Sequence, residues 1–211
     1  FHNTCRHHAA EVALGEGTCE ELVCPYHGWR YRLNGELKSA PRVAGIEDFH
    51  REEFSLPKIA VCEWGHLVFL HFGDDPGPAV DADFAELDAV LEGTKTSALR
   101  FIERREYEMR CNWKVFVDNY LDGGYHVPVL HEALTWQLDL DTYRTQTYSN
   151  WSLQTVNGTE SGSPPSIDFP ERIGRGAEYV WIHPNIMLNR YGPILDTNLL
   201  IPLDAQRTLV Q

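Results

Sequence analysis

Along residues 1–72 the apolar positions fall in short clusters punctuated by turn residues. Glu21–Val23 runs into Cys24-Pro25, Asn34-Gly35 is a strong hairpin signal, and Trp64-Gly65 precedes the apolar run Leu67–Phe72. That pattern predicts an all-β unit. The stretch Gly73-Asp74-Asp75-Pro76-Gly77-Pro78 is acidic and dense in breakers, which marks a boundary there. Within the linker, taken as 73–100, Phe84, Leu87 and Leu91 have helical spacing and Gly93 closes them, predicting a short amphipathic helix. Tyr107, Met109 and Cys111 then alternate as a strand. Asn112 reads as an N-cap, and Trp113, Phe116, Val117, Tyr120 and Leu121 form an i, i+3, i+4, i+7, i+8 stripe, the strongest helix signal in the chain. From Thr145 to Gln211, alternating patches such as Tyr179–Ile182 and Asn198–Ile201 predict a strand-rich segment. The expected class is therefore α+β: an all-β unit over 1–72, then a mixed helix and antiparallel-sheet domain over 101–211.

Composition narrows the functions available. With 43% hydrophobic and 23% charged residues among 211, the chain falls among soluble globular proteins, and no apolar run approaches membrane-spanning length. A formal charge of −13, from 18 basic and 31 acidic residues, argues against nucleic-acid binding. An anionic partner would need a local basic patch, for which Arg6, Arg30, Arg32, Lys38 and Arg42 are the candidates. Five unevenly spaced cysteines are no disulfide framework and point to metal in a reducing compartment. The chain opens at Phe1-His2-Asn3-Thr4 without a Met, just before Cys5, so strands are expected to precede it.

Cys5-Arg6-His7 and, after 16 intervening residues, Cys24-Pro25-Tyr26-His27-Gly28-Trp29 supply two thiolates and two imidazoles. In a Rieske centre two cysteines hold one iron and two histidines the other, which raises the potential above that of an all-cysteine cluster. The same ligands suit tetrahedral zinc, but zinc fingers usually pair Cys with Cys and His with His, whereas each loop here mixes one of each. Cys19, Cys62 and Cys111 read as small apolar residues, and His8 as a neighbour of the ligands rather than one of them.

Farther along, Asp118, Asp122 and His126 stand at steps of four opposite the apolar stripe, which on a continuous helix aligns two carboxylates with an imidazole. Gly123-Gly124 and Pro128 would distort that helix. His126 and His131 are five apart, diverging on a regular helix, and a kink at Pro128 would let them converge on one metal as two members of a two-His, one-carboxylate triad.

The two Cys/His loops resemble the signature of the Rieske non-haem iron oxygenases. Asn112-Trp113-Lys114, the run Asp118-Asn119-Tyr120-Leu121-Asp122-Gly123-Gly124-Tyr125-His126-Val127-Pro128, His131, Leu138-Asp139-Leu140-Asp141-Thr142-Tyr143 and Asn189-Arg190-Tyr191-Gly192-Pro193 look like the choline monooxygenase group among them. In the wider family a carboxylate lies three residues before the first iron-binding His. Gly123 holds that place here and Asp122 lies four before, as in the choline-type group, which leaves Asp118 and Asp122 as rivals for its role.

The resemblance implies a [2Fe-2S] cluster on Cys5, His7, Cys24 and His27, a mononuclear Fe(II) on His126 and His131, and Asp122, Asp118 and Asn119 as catalytic residues. It implies a Rieske domain over 1–72 and a catalytic domain over 101–211, with the third iron ligand, an Asp, beyond residue 211; Asp139, Asp141, Asp168, Asp196 and Asp204 read as solvated loop acids. It further implies a ferredoxin or reductase as electron donor, O2 as co-substrate, a homotrimer that brings cluster and iron together, and hydroxylation of a quaternary ammonium compound such as choline. The compartment would be the cytoplasm in a bacterium or the chloroplast stroma in a plant. Trp136, Tyr148, Trp151, Tyr179 and Trp181 are candidates for an aromatic cage around the cation. Two rival readings are an aromatic ring-hydroxylating dioxygenase α-subunit and a Rieske electron carrier.

Overall fold

The computed structural model describes residues 1–73, 85–89, 91, 98–159, 176–192 and 194–211. Its contacts divide the chain into two units, Phe1–Ala82 and Asp83–Gln211.

In the first unit, β1 (Glu21–Val23), β2 (Arg30–Arg32) and β3 (Leu37–Ser39) form an antiparallel sheet in sequence order. The β2–β3 turn is the one Asn34-Gly35 signals: Gly35 takes a φ of 87°, and its N–H donates to the Arg32 carbonyl. A 3-10 turn (Arg51–Phe54) follows, then the hairpin of β4 (Ala60–Trp64) and β5 (Leu67–His71). The core is small and built around aromatic rings, with Trp29, Tyr31 and Leu37 packing on Cys5, Cys24, Val12 and Leu56. Both cysteines of the metal motif are thus interior groups, while the backbone around them faces outward.

The second unit is a seven-stranded antiparallel sheet in the order β6-β12-β11-β10-β9-β8-β7. Its strands are β6 (Tyr107–Met109), β7 (Leu138–Thr147), β8 (Trp151–Gly158), β9 (Gly176–Ile182), β10 (Ile186–Tyr191), β11 (Ile194–Asp204) and β12 (Arg207–Val210). Helix α1 (Trp113–Tyr120) lies on one face, and the apolar stripe decides which of its sides is buried: Trp113, Phe116, Val117, Tyr120 and Leu121 pack on Met187, Leu200 and Val210. Asn112 caps it, its side-chain oxygen accepting from the Lys114 N–H at 3.1 Å. Two one-turn helices, α2 (Val127–Leu130) and α3 (Glu132–Thr135), join α1 to β7.

Two expectations change. The strand-rich segment starts at Leu138, seven residues earlier than the alternation at Thr145 suggests, because a register shift between Asp139 and Arg144 interrupts the pattern. Asp139 and Asp141 lie in β7, and Asp196 and Asp204 in β11, so these acids are strand residues and not loop residues. Residues 85–89 and Leu91 are helical, with Leu87 and Leu91 buried as the spacing requires. Phe84, Gly93, Asp168 and most of the breaker stretch at 73–78 lie outside the described residues. No helix among the described residues is long and apolar enough to cross a membrane.

Candidate metal centres

The two Cys/His loops have the same backbone design. Each cysteine N–H donates to the carbonyl five residues on, Cys5 to Ala10 at 2.8 Å and Cys24 to Trp29 at 2.8 Å. Each cysteine carbonyl accepts from the N–H four residues on, from Ala9 at 2.9 Å and from Gly28 at 3.0 Å. The residue closing each turn is left-handed, Gly28 with φ 70° and Ala9 with φ 57°. Glycine adopts that conformation freely, whereas alanine does so at a cost of about 1–2 kcal/mol. The second loop could be read as a turn from its glycine; the first hides the same turn behind an alanine.

This design buries the sulfurs and exposes the imidazoles. Cys5 and Cys24 are each 2% exposed. The Tyr31 hydroxyl is 3.2 Å from Cys5 Sγ. Burial pushes the Cys24 thiol up, but N–H groups of Tyr26 and His27 and the Cys5 thiol beside it outweigh burial, and the net shift is downward, toward thiolate. The rings of His7 and His27 lie with centroids 4.6 Å apart, and His7 stacks on Trp29 at 4.8 Å. Desolvation against these rings, with smaller contributions from His8 and His27, lowers the His7 pKa and favours the neutral imidazole that binds metal. The paired sulfurs, with Cys24 shifted toward thiolate, and the two imidazoles beside each other fit a mixed-ligand [2Fe-2S] group. His8 joins them: a ligand nitrogen of each of His7, His8 and His27 lies within 4.8 Å of the others. The sequence places His8 beside the ligands, and the structure puts it among them.

At the second centre the structure replaces the long distorted helix with breaks. Helix α1 stops at Tyr120, and Gly123 and Gly124 are both left-handed, with φ of 73° and 78°. Asp118, Asp122 and His126 therefore do not form one row on one helix. Asp118 and Asn119 are exposed on α1, and only Asp122 meets the imidazole, its Oδ2 lying 2.6 Å from His126 Nδ1. Its Oδ1 accepts from the Gly124 N–H at 2.9 Å, so the carboxylate also shapes the turn that presents it.

Pro128 does not kink a helix. It starts one, at the second position of α2, where its missing N–H costs nothing. His126 is the N-cap and His131 the C-cap of that single turn, which brings the two rings to 5.1 Å between centroids, nearly edge-on. The Thr135 hydroxyl, 3.1 Å from the carbonyls of both Val127 and His131, steadies the far end. With Nδ1 of His126 donating to Asp122, its Nε2 is the nitrogen free to bind, and a second imidazole stands beside it, which fits a mononuclear iron.

Of the five aromatic candidates, Tyr148 and Trp151 stack on one another at 3.8 Å, Trp181 meets His183, and Trp136 is half exposed. They do not form one cage. Of these, only Tyr179 belongs to a group that reaches the turn carrying Asp122 and His126. It meets Tyr120 and Tyr191 edge-on at 6.3 and 5.7 Å, and Tyr143 packs in the same cluster while its ring abuts Gly124. Burial pushes the hydroxyls of Tyr120, Tyr143 and Tyr179 well above the usual phenol range, so all three stay neutral. Sequence reasoning missed Tyr120, Tyr143 and Tyr191 because their spacing reads equally well as helix stripe or strand alternation.

Residues 1–50 match the Rieske [2Fe-2S] domain, and residues 96–211 match the ring hydroxylating alpha subunit (catalytic domain). The chain belongs to this Rieske-type α-subunit family, and membership implies a [2Fe-2S] cluster and a mononuclear iron. Among relatives, it is 42% identical to the chloroplastic choline monooxygenase of Arabidopsis thaliana, over 100% of this chain and 51% of that protein. It is 30% identical to the carnitine monooxygenase oxygenase subunit of Escherichia coli K12, over 99% of this chain and 56% of the other. The structure of the quaternary ammonium Rieske monooxygenase CntA with L-carnitine aligns with a TM-score of 0.80 at 27% identity, covering 100% of this chain and 56% of CntA. Naphthalene 1,2-dioxygenase from Rhodococcus, at 20% identity and a TM-score of 0.75, shares the fold. The chain spans about half the length of the curated relatives it matches.

Proposed function

We propose that this chain is the core of a Rieske monooxygenase that hydroxylates a quaternary ammonium compound, choline being the best candidate. The observation that carries the reading is the turn in which Asp122 holds His126 beside His131, in a chain 42% identical to a choline monooxygenase. In this reading Cys5, His7, Cys24 and His27 hold the [2Fe-2S] group, and His126 and His131 hold the iron with a carboxylate from elsewhere in the full protein. When bound, the cluster relays single electrons from a ferredoxin or reductase and the iron activates O2.

The protein's own residues do the arranging. Asp122 fixes the tautomer and ring plane of His126 through Nδ1. Oδ2 keeps a lone pair that can accept from an imidazole N–H of a cluster histidine in a neighbouring copy, which makes Asp122 rather than Asp118 the bridging residue of a homotrimer. Asn119, exposed on α1, makes no described contact that gives it a part in this geometry. A quaternary ammonium donates no hydrogen bond, so neutral aromatic faces such as those of Tyr120, Tyr179 and Tyr191 are the groups suited to hold it, at about 0.5–2 kcal/mol per contact. Reducing compartments, plant stroma or bacterial cytoplasm, suit thiols of this kind.

Full-length protein supplied with an electron donor and O2 tests the reading. Oxygenation of choline, carnitine or a betaine is expected. Turnover of naphthalene or benzoate with none of these would move the assignment to a ring dioxygenase, and a cluster without a second iron would make the chain an electron carrier.

A further inference from the structure

We propose that Gln154 is a positioning residue for the iron site: its one amide clamps both ends of the glycine turn that carries Asp122 and His126. The inference rests on the reading of His126 and His131 as metal ligands. Gln154 lies mid-strand in β8, 0% exposed, on the sheet face that α1 covers. A buried amide is costly unless its donor and acceptor are both used. Here Nε2 donates to the Tyr120 carbonyl at 3.0 Å, and Oε1 accepts from the Tyr143 hydroxyl at 3.1 Å.

Those two partners flank the turn. Tyr120 is the last residue of α1, two before Asp122, and its carbonyl is one of the helix-end acceptors that no intrahelical N–H reaches. The same residue is pinned to the sheet by its hydroxyl, which lies 2.8 Å from Asn189 Oδ1. Tyr143 bears on the other end. A Cβ built on Gly124, two residues before His126, would come within 2.7 Å of the Tyr143 ring. Between these contacts stand Gly123 and Gly124, which by themselves restrain the backbone less than any other residues. The loop that must aim a carboxylate and an imidazole therefore owes its shape to a side chain on a different strand, one that touches neither of them.

Register supports this role. Gln154 pairs with Tyr179, Tyr179 with Asn189, and Asn189 with Asp196, giving a polar row across four strands beneath the end of α1. On the same sheet face Val156, Ala177 and Met187 are apolar and buried, while Ser152 is buried and polar. A packed core alone would be served by an aliphatic residue at 154.

The test uses the full protein freed of mononuclear iron, with Co(II) as the probe and its visible spectrum as the readout. Gln154→Met, close in volume, is expected to bind Co(II) about tenfold more weakly and with an altered ligand-field spectrum, while the cluster spectrum stays unchanged. His131→Ala serves as the control and should lose most of the affinity. If His131→Ala binds Co(II) normally, the metal-site reading itself fails. If it loses Co(II) while Gln154→Met keeps the wild-type affinity and spectrum, the clamp is wrong. Should Gln154→Met not fold, Tyr143→Phe removes one arm with a single oxygen atom, and a smaller weakening of the same kind is expected; unchanged Co(II) binding by that variant would equally overturn the proposal.

Discussion

Replacing Asp122 by Asn changes two atoms' chemistry and almost no volume. Oδ1 of the new amide can still accept from the Gly124 N–H, so the turn keeps its shape. The other position becomes an NH2 facing His126 Nδ1, where a carboxylate oxygen stood 2.6 Å away. Two donors cannot share that contact. The imidazole must move its proton to Nε2, which is the nitrogen that binding requires, or swing out of plane. A hydrogen bond to a charged group is worth about 1.5–3 kcal/mol. With the two side chains 20% and 27% exposed, the lower half of that range applies, which corresponds to about a ten- to fortyfold loss of Co(II) or Fe(II) affinity. With iron in excess the site still fills, and single-turnover reoxidation of the reduced cluster by O2 and substrate should then slow sharply if Asp122 also bridges to a neighbouring copy. Asp118→Asn, on the exposed face of α1, should change neither quantity. Equal effects from the two variants, or wild-type metal affinity in Asp122→Asn, would refute the reasoning.

Three further expectations come from individual contacts. Tyr31→Phe removes the hydroxyl 3.2 Å from Cys5 Sγ, and because hydrogen bonds to cluster sulfurs raise the potential, the midpoint read by redox titration should fall. Gly123→Ala and Gly124→Ala share a left-handed φ, costing about 1–2 kcal/mol each, but only at Gly124 would the new methyl meet a ring, at 2.7 Å from Tyr143. Gly124→Ala should therefore lower thermal stability and metal affinity more than Gly123→Ala does, and equal losses would mean the Tyr143 contact carries no weight. Hydrogen bonds from Lys38 and then Arg30 lower the Glu21 pKa, so Glu21 contributes stability above its unfolded-state pKa and loses it as pH falls through the depressed value. Glu21→Gln should be slightly less stable than wild type at neutral pH in denaturant titrations, and the gap should close in acid.

The candidate ligands were legible because thiols and imidazoles at those spacings serve few purposes other than metal, and the helix because its stripe keeps period over about two turns. The way the ligands meet was not. Reading Asp118, Asp122 and His126 as one row assumes a helix that continues, and reading Pro128 as a kink assumes the same. A proline is as good a second residue as it is a poor eighth one, and sequence spacing cannot distinguish the two when glycines have already ended the preceding helix. Ending the helix at Tyr120 has a cost, since its last carbonyls need donors from outside. One such donor comes from β8, 34 residues later, and it is a buried glutamine in a strand that mixes apolar and polar residues. In isolation that residue looks like an ordinary polar position of a mixed strand. Seen from the broken helix it supplies the missing donor, and the same amide receives the tyrosine that fills the space left by Gly124. The break in the helix and the polar residue in the strand are therefore two halves of one requirement, which is to hold an acid and an imidazole on a turn that has no stiffness of its own.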